Sequence, residues 1–358
     1  MDPAAPSTLF TPLQLRGVTF RNRIGVSPMC QYSAQDGFAN DWHFVHLGAR
    51  AVGGAGLVLT EATAVVPEGR ISPHDLGLWE DGQIAPLARI ATFLRGQGAV
   101  AGIQLAHAGR KASVARPWDG GKRLLPGQGG WTVVAPSSLP FNPGEPDSSA
   151  LDEAGMERLV AAFLAAAQRA VEAGFQVIEL HAAHGYLLHQ FLSPLSNRRT
   201  DTCGGSLENR MRLPLRVARE VRRALPADRA LFVRLSATDW AEGGWDPEQS
   251  VVFAAALKDI GVDLVDASSG GLVPTAKVPA APGYQVPFAS RIRKDAGIPT
   301  AAVGLLTTAK ETEAVVAEGH ADIVLLGREL LRNPSWPLKA AAELGAEGPW
   351  PPQYVRAK

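Results

Sequence analysis

Two cysteines in 358 residues, Cys30 and Cys203, are too few for a disulfide framework or a cysteine-rich metal cluster. Charge of one sign is missing too. Thirty-five basic residues balance 35 acidic ones, which removes the field that nucleic acid or an anionic membrane would need. No uninterrupted apolar run approaches the roughly 18 residues of a membrane span. Met1 to Leu9 lack the basic residues and apolar core of a signal peptide. Together these absences predict a soluble, cytoplasmic protein whose partners are small molecules, with neither nucleic acid nor membrane among them. A dinucleotide fingerprint is lacking as well: the first strand-like run ends in Ser27-Pro28-Met29-Cys30, with no GxGxxG.

What is present is an alternation of short apolar runs with helical patterns. The runs are Ile24 to Ser27, Gly56 to Thr60, Val100 to Leu105, Val177 to Leu180, Leu231 to Leu235, Leu264 to Ser268, Thr300 to Val303 and Ile323 to Leu326. Helical periodicity separates them: from Trp42 behind Asn40 or Asp41, over 84–94, over about 20 residues from near Asp152, and over 207–223, 247–259, 308–318 and 334–344. Eight such runs alternating with helices predict an α/β chain, a (β/α)8 barrel filling 1–358 as one domain. Leu9 to Val18 reads as a short hairpin ahead of it. Two stretches read as loops capping the barrel mouth: about 112–150, rich in Pro, Gly and Trp, and the proline-rich 270–288. A tail follows from about 346 to 358.

In such a barrel, polar residues at the C-terminal ends of strands point to function. Those ends carry Ser27 through Tyr32, Glu61-Ala62-Thr63, Gln104 with His107 and Lys111, His181-Ala-Ala-His184-Gly-Tyr186, Arg234, Ser268, Val303-Gly304 and Gly327-Arg328. The two imidazoles have only alanines between them, so the zinc-protease helix HExxH is absent and no metal is expected. A packed histidine pair remains open on spacing alone. Gly304 and Gly327 close the seventh and eighth strands, where barrels bind phosphate through backbone N–H groups, with Arg328 adding charge. The residues by themselves describe a barrel holding a phosphorylated ligand under a lid, with imidazoles and a phenol facing it.

Several segments make a more specific match. They are Arg21-Asn22-Arg23-Ile24, Ser27-Pro28-Met29-Cys30-Gln31-Tyr32, Asn40-Asp41-Trp42-His43, Glu61 through Val65, Gln104 through Ala112, His181 through Tyr186, Ser193 through Asp201 and Gly204 through Arg210. In that order they resemble the old yellow enzyme family of FMN-dependent ene-reductases, and within it the thermophilic-like, xenobiotic reductase-like subclass. The resemblance implies FMN across the barrel mouth. Gln104 and Arg234 would meet the isoalloxazine edge, and Ser27, Pro28, Met29 and Ala62 the ring. Ser268, Val303, Gly304, Gly327 and Arg328 would meet the ribityl chain and phosphate. Cys30 would sit beside the ring as a modulator of its potential.

The reaction so implied is ping-pong. NADPH, or less favourably NADH, reduces FMN; an α,β-unsaturated carbonyl compound then accepts hydride while His181 and His184 grip its oxygen and Tyr186 protonates the α-carbon. Tyr32 and Lys111 would line the substrate pocket. By the same resemblance Arg356 reaches into a neighbouring subunit's site, which requires a homodimer or homotetramer. Two other readings stay open: another flavin-barrel oxidoreductase, and a barrel that binds flavin or phosphate without catalysis.

Overall fold

The computed structural model describes residues 7–358. Eight strands form a closed parallel barrel: β1 (Ile24–Val26), β2 (Leu57–Ala64), β3 (Val100–Ala106), β4 (Val177–Ala182), β5 (Ala230–Ser236), β6 (Leu264–Ser268), β7 (Thr300–Ala302) and β8 (Ile323–Leu326). Each pairs with its neighbour in sequence, and β8 returns to β1 through Val324↔Ile24 and Leu326↔Val26. The expected (β/α)8 barrel is therefore the observed fold.

The strands hold together because both faces are buried. Outward side chains such as Val58, Ile103 and Ile178 pack under the helices, while Leu57, Leu59, Val100, Val177, Phe232, Leu264 and Leu325 fill the lower interior. A two-stranded hairpin, Leu13–Leu15 with Val18–Phe20, closes the N-terminal end, and Phe20 stacks on Phe232 at 6.3 Å. The hairpin lies slightly later in the chain than the sequence pattern suggests. Toward the C-terminal end the inward positions turn polar, with Gln104, Glu179, Arg234 and Asp266 all buried. That change from apolar floor to polar upper layer positions the site.

The helices begin where capping residues allow. In α1 (Asp41–Val52) the N-cap is Asn40, whose side chain accepts from Trp42 N, and His43 completes a capping box. α2 is Ile84–Gly96; α3, Glu153–Glu172, starts at Asp152, which accepts from Gly155 N at 2.6 Å. α4 (Leu207–Ala224) and α5 (Pro247–Ile260) follow, the latter between Asp246 as N-cap and Gly261 in the left-handed region. α6 (Val286–Ala296), α7 (Ala309–Ala317) and α8 (Trp336–Glu343) complete the ring. Two differences from the sequence reading are informative. The stretch 270–288 ends as a loop at Gln285, because Pro287 stands in the first turn of α6, where a missing N–H costs nothing. Two short helices, Leu187–Leu192 and Arg328–Arg332, come soon after β4 and β8 and are too brief to show periodicity. Among the described residues no helix is long and apolar enough to cross a membrane.

Candidate active site

Seven non-glycine residues have positive φ among the described residues, and six of them, Tyr32, Asp36, Ser113, His184, Trp240 and Leu305, lie in loops that follow barrel strands. Left-handed backbone is costly for residues with a Cβ, so the strain is concentrated at one end of the barrel, the end with the polar layer.

β4 delivers the central group. His181 is its penultimate residue and is buried; His184 and Tyr186 follow in a turn and are half-buried. The turn needs left-handed backbone at His184 (φ 57°) and Gly185 (φ 73°), and a Cβ on Gly185 would lie 2.2 Å from the carbonyl oxygen of Gly271. Ser236 accepts from His184 N at 2.9 Å. Lys111 Nζ donates to the carbonyls of His184 and Gly271, each at 2.9 Å. The outcome is a cluster: the His181 and His184 rings meet edge to face with centroids 5.2 Å apart, and His181 meets Tyr186 likewise at 4.8 Å.

A backbone hydrogen bond assigns the His181 proton. His181 Nδ1 accepts from Ala183 N at 3.2 Å, which leaves its proton on Nε2. His184 Nε2 lies 2.7 Å from Ser268 Oγ. Ser268 Oγ also donates to Gln285 Oε1 at 3.3 Å, which accepts from Ser269 Oγ at 2.6 Å as well. Burial, and next to it the Arg234 guanidinium, hold both imidazoles well below their usual range, so both are neutral donors near pH 7. Burial pushes the Tyr186 phenol well above its usual value. Burial and Arg110 together hold Lys111 down to about 8.

The other walls follow from neighbouring strand ends. Beyond β1, Pro28, Met29, Cys30, Gln31 and Tyr32 are half-buried. A register shift in β2 between Leu59 and Ala62 brings Ala62 into a cluster with Ile71, Ala106 and Val133, against which Cys30, Tyr32, Trp131 and Tyr186 pack. Tyr32 touches Trp118 edge to face at 5.9 Å, and Phe141 lies against Lys111 Nζ at 4.7 Å, so the loop after β3 covers this side as a lid. Burial raises the Cys30 thiol well above its usual range.

On the opposite side a polar cleft of about 250 Å³ runs from Arg234 and Ser268 past Val303, Gly304 and Gly327 to Arg328 and Arg332. Gly304 has φ 133°, and a Cβ there would crowd Gln285 Nε2 at 3.1 Å. Arg234 donates from Nη1 to Ser27 Oγ at 3.2 Å. Its Nε lies 3.1 Å from Asp266 Oδ2 without the alignment of a hydrogen bond. These donors suit FMN: a guanidinium and an amide for the ring edge, a hydroxyl for the polyol, glycine turns and arginines for the phosphate.

Residues 8–347 match the model of the NADH:flavin oxidoreductase / NADH oxidase family. The chain belongs to that family. Its cofactor is accordingly FMN and its reductant a nicotinamide. An NADPH dehydrogenase of Geobacillus thermodenitrificans (strain NG80-2) is 49% identical over 352 residues, 98% of each chain. Among solved structures, an old yellow enzyme homologue from Zymomonas mobilis is 27% identical with a TM-score of 0.78, over 97% of this chain and 98% of that one. A 2-naphthoyl-CoA reductase is 25% identical with a TM-score of 0.85; 94% of this flavin oxidoreductase aligns with it, but the match spans only 52% of that longer chain.

Most residues singled out from the sequence meet at this mouth: Ser27 to Cys30, Tyr32, Ala62, Gln104, Lys111, His181, His184, Tyr186, Arg234, Ser268, Val303, Gly304, Gly327 and Arg328. Arg356 does not join them. It is exposed in the final turn, Pro352–Ala357, and its neighbours Val355 and Lys358 line a cleft with Phe10, Arg21 and Asn22, which precede β1 at the other end of the barrel. Gln285, Thr307 and Arg332 were not foreseen. Gln285 gave no signal inside a proline-rich loop, whereas Arg332 lies four residues from Arg328 on one short helix.

Proposed function

We propose that this chain reduces the activated C=C bond of α,β-unsaturated carbonyl compounds with electrons from NADPH, or less readily NADH, in a ping-pong cycle. The observation that carries this reading is the convergence of two neutral imidazoles and one protonated phenol on a single space beside the polar cleft. FMN, when bound, supplies the two-electron hydride chemistry.

The chain's own residues do the rest. Arg234 and Gln104 hold the ring edge; Ser27, Pro28, Met29, Cys30 and Ala62 form the ring's bed; Ser268, Val303, Gly304, Gly327 and Arg328 take the ribityl chain and phosphate. His181, from Nε2, and His184 donate to the substrate's carbonyl oxygen, stabilising the negative charge that develops there. Tyr186 gives its proton to the α-carbon; a phenol whose pKa is raised by burial keeps that proton ready at neutral pH. Tyr32 and Lys111 bound the pocket, and the loop after β3 excludes water.

Arg356 completes the site of a second copy in this reading, making the enzyme a homodimer or homotetramer. Two exposed apolar pairs support it: Tyr354 and Val355 on the tail, and Trp42 and Val45 on α1, whose Trp42 Nε1 donates to Gln31 Oε1 beside the mouth. The test is direct. The purified protein should be yellow, NADPH should bleach it without oxygen, and 2-cyclohexenone should restore the colour. A flavin that stays oxidised under NADPH would leave only a binding role.

A further inference from the structure

The floor of the site holds two acids that none of these steps uses. Glu179 on β4 and Asp266 on β6 are wholly buried, at inward positions flanking β5. Glu179 Oε1 accepts from Gln104 Nε2 at 2.8 Å. Asp266 is paired with Arg234 at 3.1 Å. Glu179 Oε2 and both Asp266 oxygens are buried without a hydrogen-bond donor, and each acid lies within reach of the other's charge, so one proton held by the pair would satisfy oxygens that are otherwise orphaned. The groups facing the pair are the neutral amide of Gln104 from β3, the guanidinium of Arg234 from β5, neutral His181 above on β4, and apolar Phe232 and Leu264 below. One guanidinium stands against two buried acids.

We propose that Glu179 and Asp266 hold one proton between them at neutral pH, and that this pair sets the reduction potential of the flavin by keeping a single negative charge behind Gln104 and Arg234, the residues that would hold the ring. Asp266 keeps the charge because its partner is the guanidinium. Glu179 keeps the proton because its other partner is an uncharged amide. Burial is the first cause that lifts Glu179 above the usual carboxylate range, and Asp266 beside it is the second. Reduction adds negative charge next to Arg234. A floor with both acids ionised would oppose that addition; a floor with none would over-stabilise it. Glu179 and Asp266 act as positioning residues, since neither touches the reacting atoms.

The inference rests on the FMN reading, and the experiment separates the two. The midpoint potential of bound FMN is measured in the holoenzyme and in Glu179→Gln, Asp266→Asn and the double variant. Either single change leaves one carboxylate in the floor, so each should leave the potential close to wild type. The double variant removes the last negative charge and should shift it clearly upward. Glu179→Gln alone shifting the potential clearly upward would show that Glu179 carries charge in the wild type and overturn the proposal; so would a double variant at the wild-type potential. Should the variants not fold, the infrared spectrum of the wild-type protein decides, with or without flavin. A protonated-carboxyl band that moves in heavy water is expected, and lost in Glu179→Gln where that variant is stable. Its absence from wild type overturns the shared proton, whereas failure to take up FMN overturns only the flavin reading.

Discussion

Lys111 donates to the backbone carbonyl of His184 at 2.9 Å, so the loop after β3 braces the turn after β4. The same ammonium reaches Gly271 O after β6 and lies 5.3 Å from the Tyr186 ring centroid. Lys111→Met keeps the stem's packing and deletes both bonds. We expect kcat for enone reduction to fall by about 10-fold or more through misplacement of His184 and Tyr186. Stopped-flow kinetics that found the variant indistinguishable from wild type would assign Lys111 to packing alone.

Tyr186→Phe removes the proton donor and keeps the ring against His181. Reduction of the flavin by NADPH should survive, while turnover of simple enones drops by about 100-fold or more, the usual worth of a positioned general acid. Separate measurement of the two half-reactions reads the split. Equal loss in both would point to a damaged flavin site.

His107 is buried beside Gly109, whose N–H its Nδ1 accepts at 3.0 Å, and burial holds its pKa down to about 4 against an ordinary 6.5. Between those values the unfolded chain binds a proton that the folded chain does not, so this group's contribution to stability is lost as pH falls from about 6.5 toward 4. Buried acids such as Asp75, raised to about 6, act with the opposite sign, so the comparison must be made by variant. His107→Gln should be destabilising at pH 7.5, and its deficit relative to wild type should be smaller at pH 5 by about 2 kcal/mol. Urea melts at the two pH values give the difference; a deficit independent of pH contradicts a neutral His107.

Arg356→Ala tests the shared site. If the tail of one copy completes the mouth of another, the variant should raise KM for the enone several-fold, with sedimentation reporting any loss of assembly. Unchanged kinetics together with unchanged assembly would make the tail a bystander.

The amino-acid sequence alone determined the barrel, because eight strands buried on both faces must read as apolar runs, and capped helices must separate them. It also named nearly every residue at the mouth, since the C-terminal ends of those runs are where side chains leave the packed core. Glu179 and Asp266 were visible too, as acids inside apolar strands, but their partnership was not. They lie 87 positions apart and meet only because β5 separates their strands around a closed barrel. The setting of His184 was likewise decided by tertiary contacts: Ser236 accepts from its backbone N–H and Ser268 meets its Nε2. Pattern and composition report what a residue can donate or bury; which atom it faces depends on how the ring of strands closes.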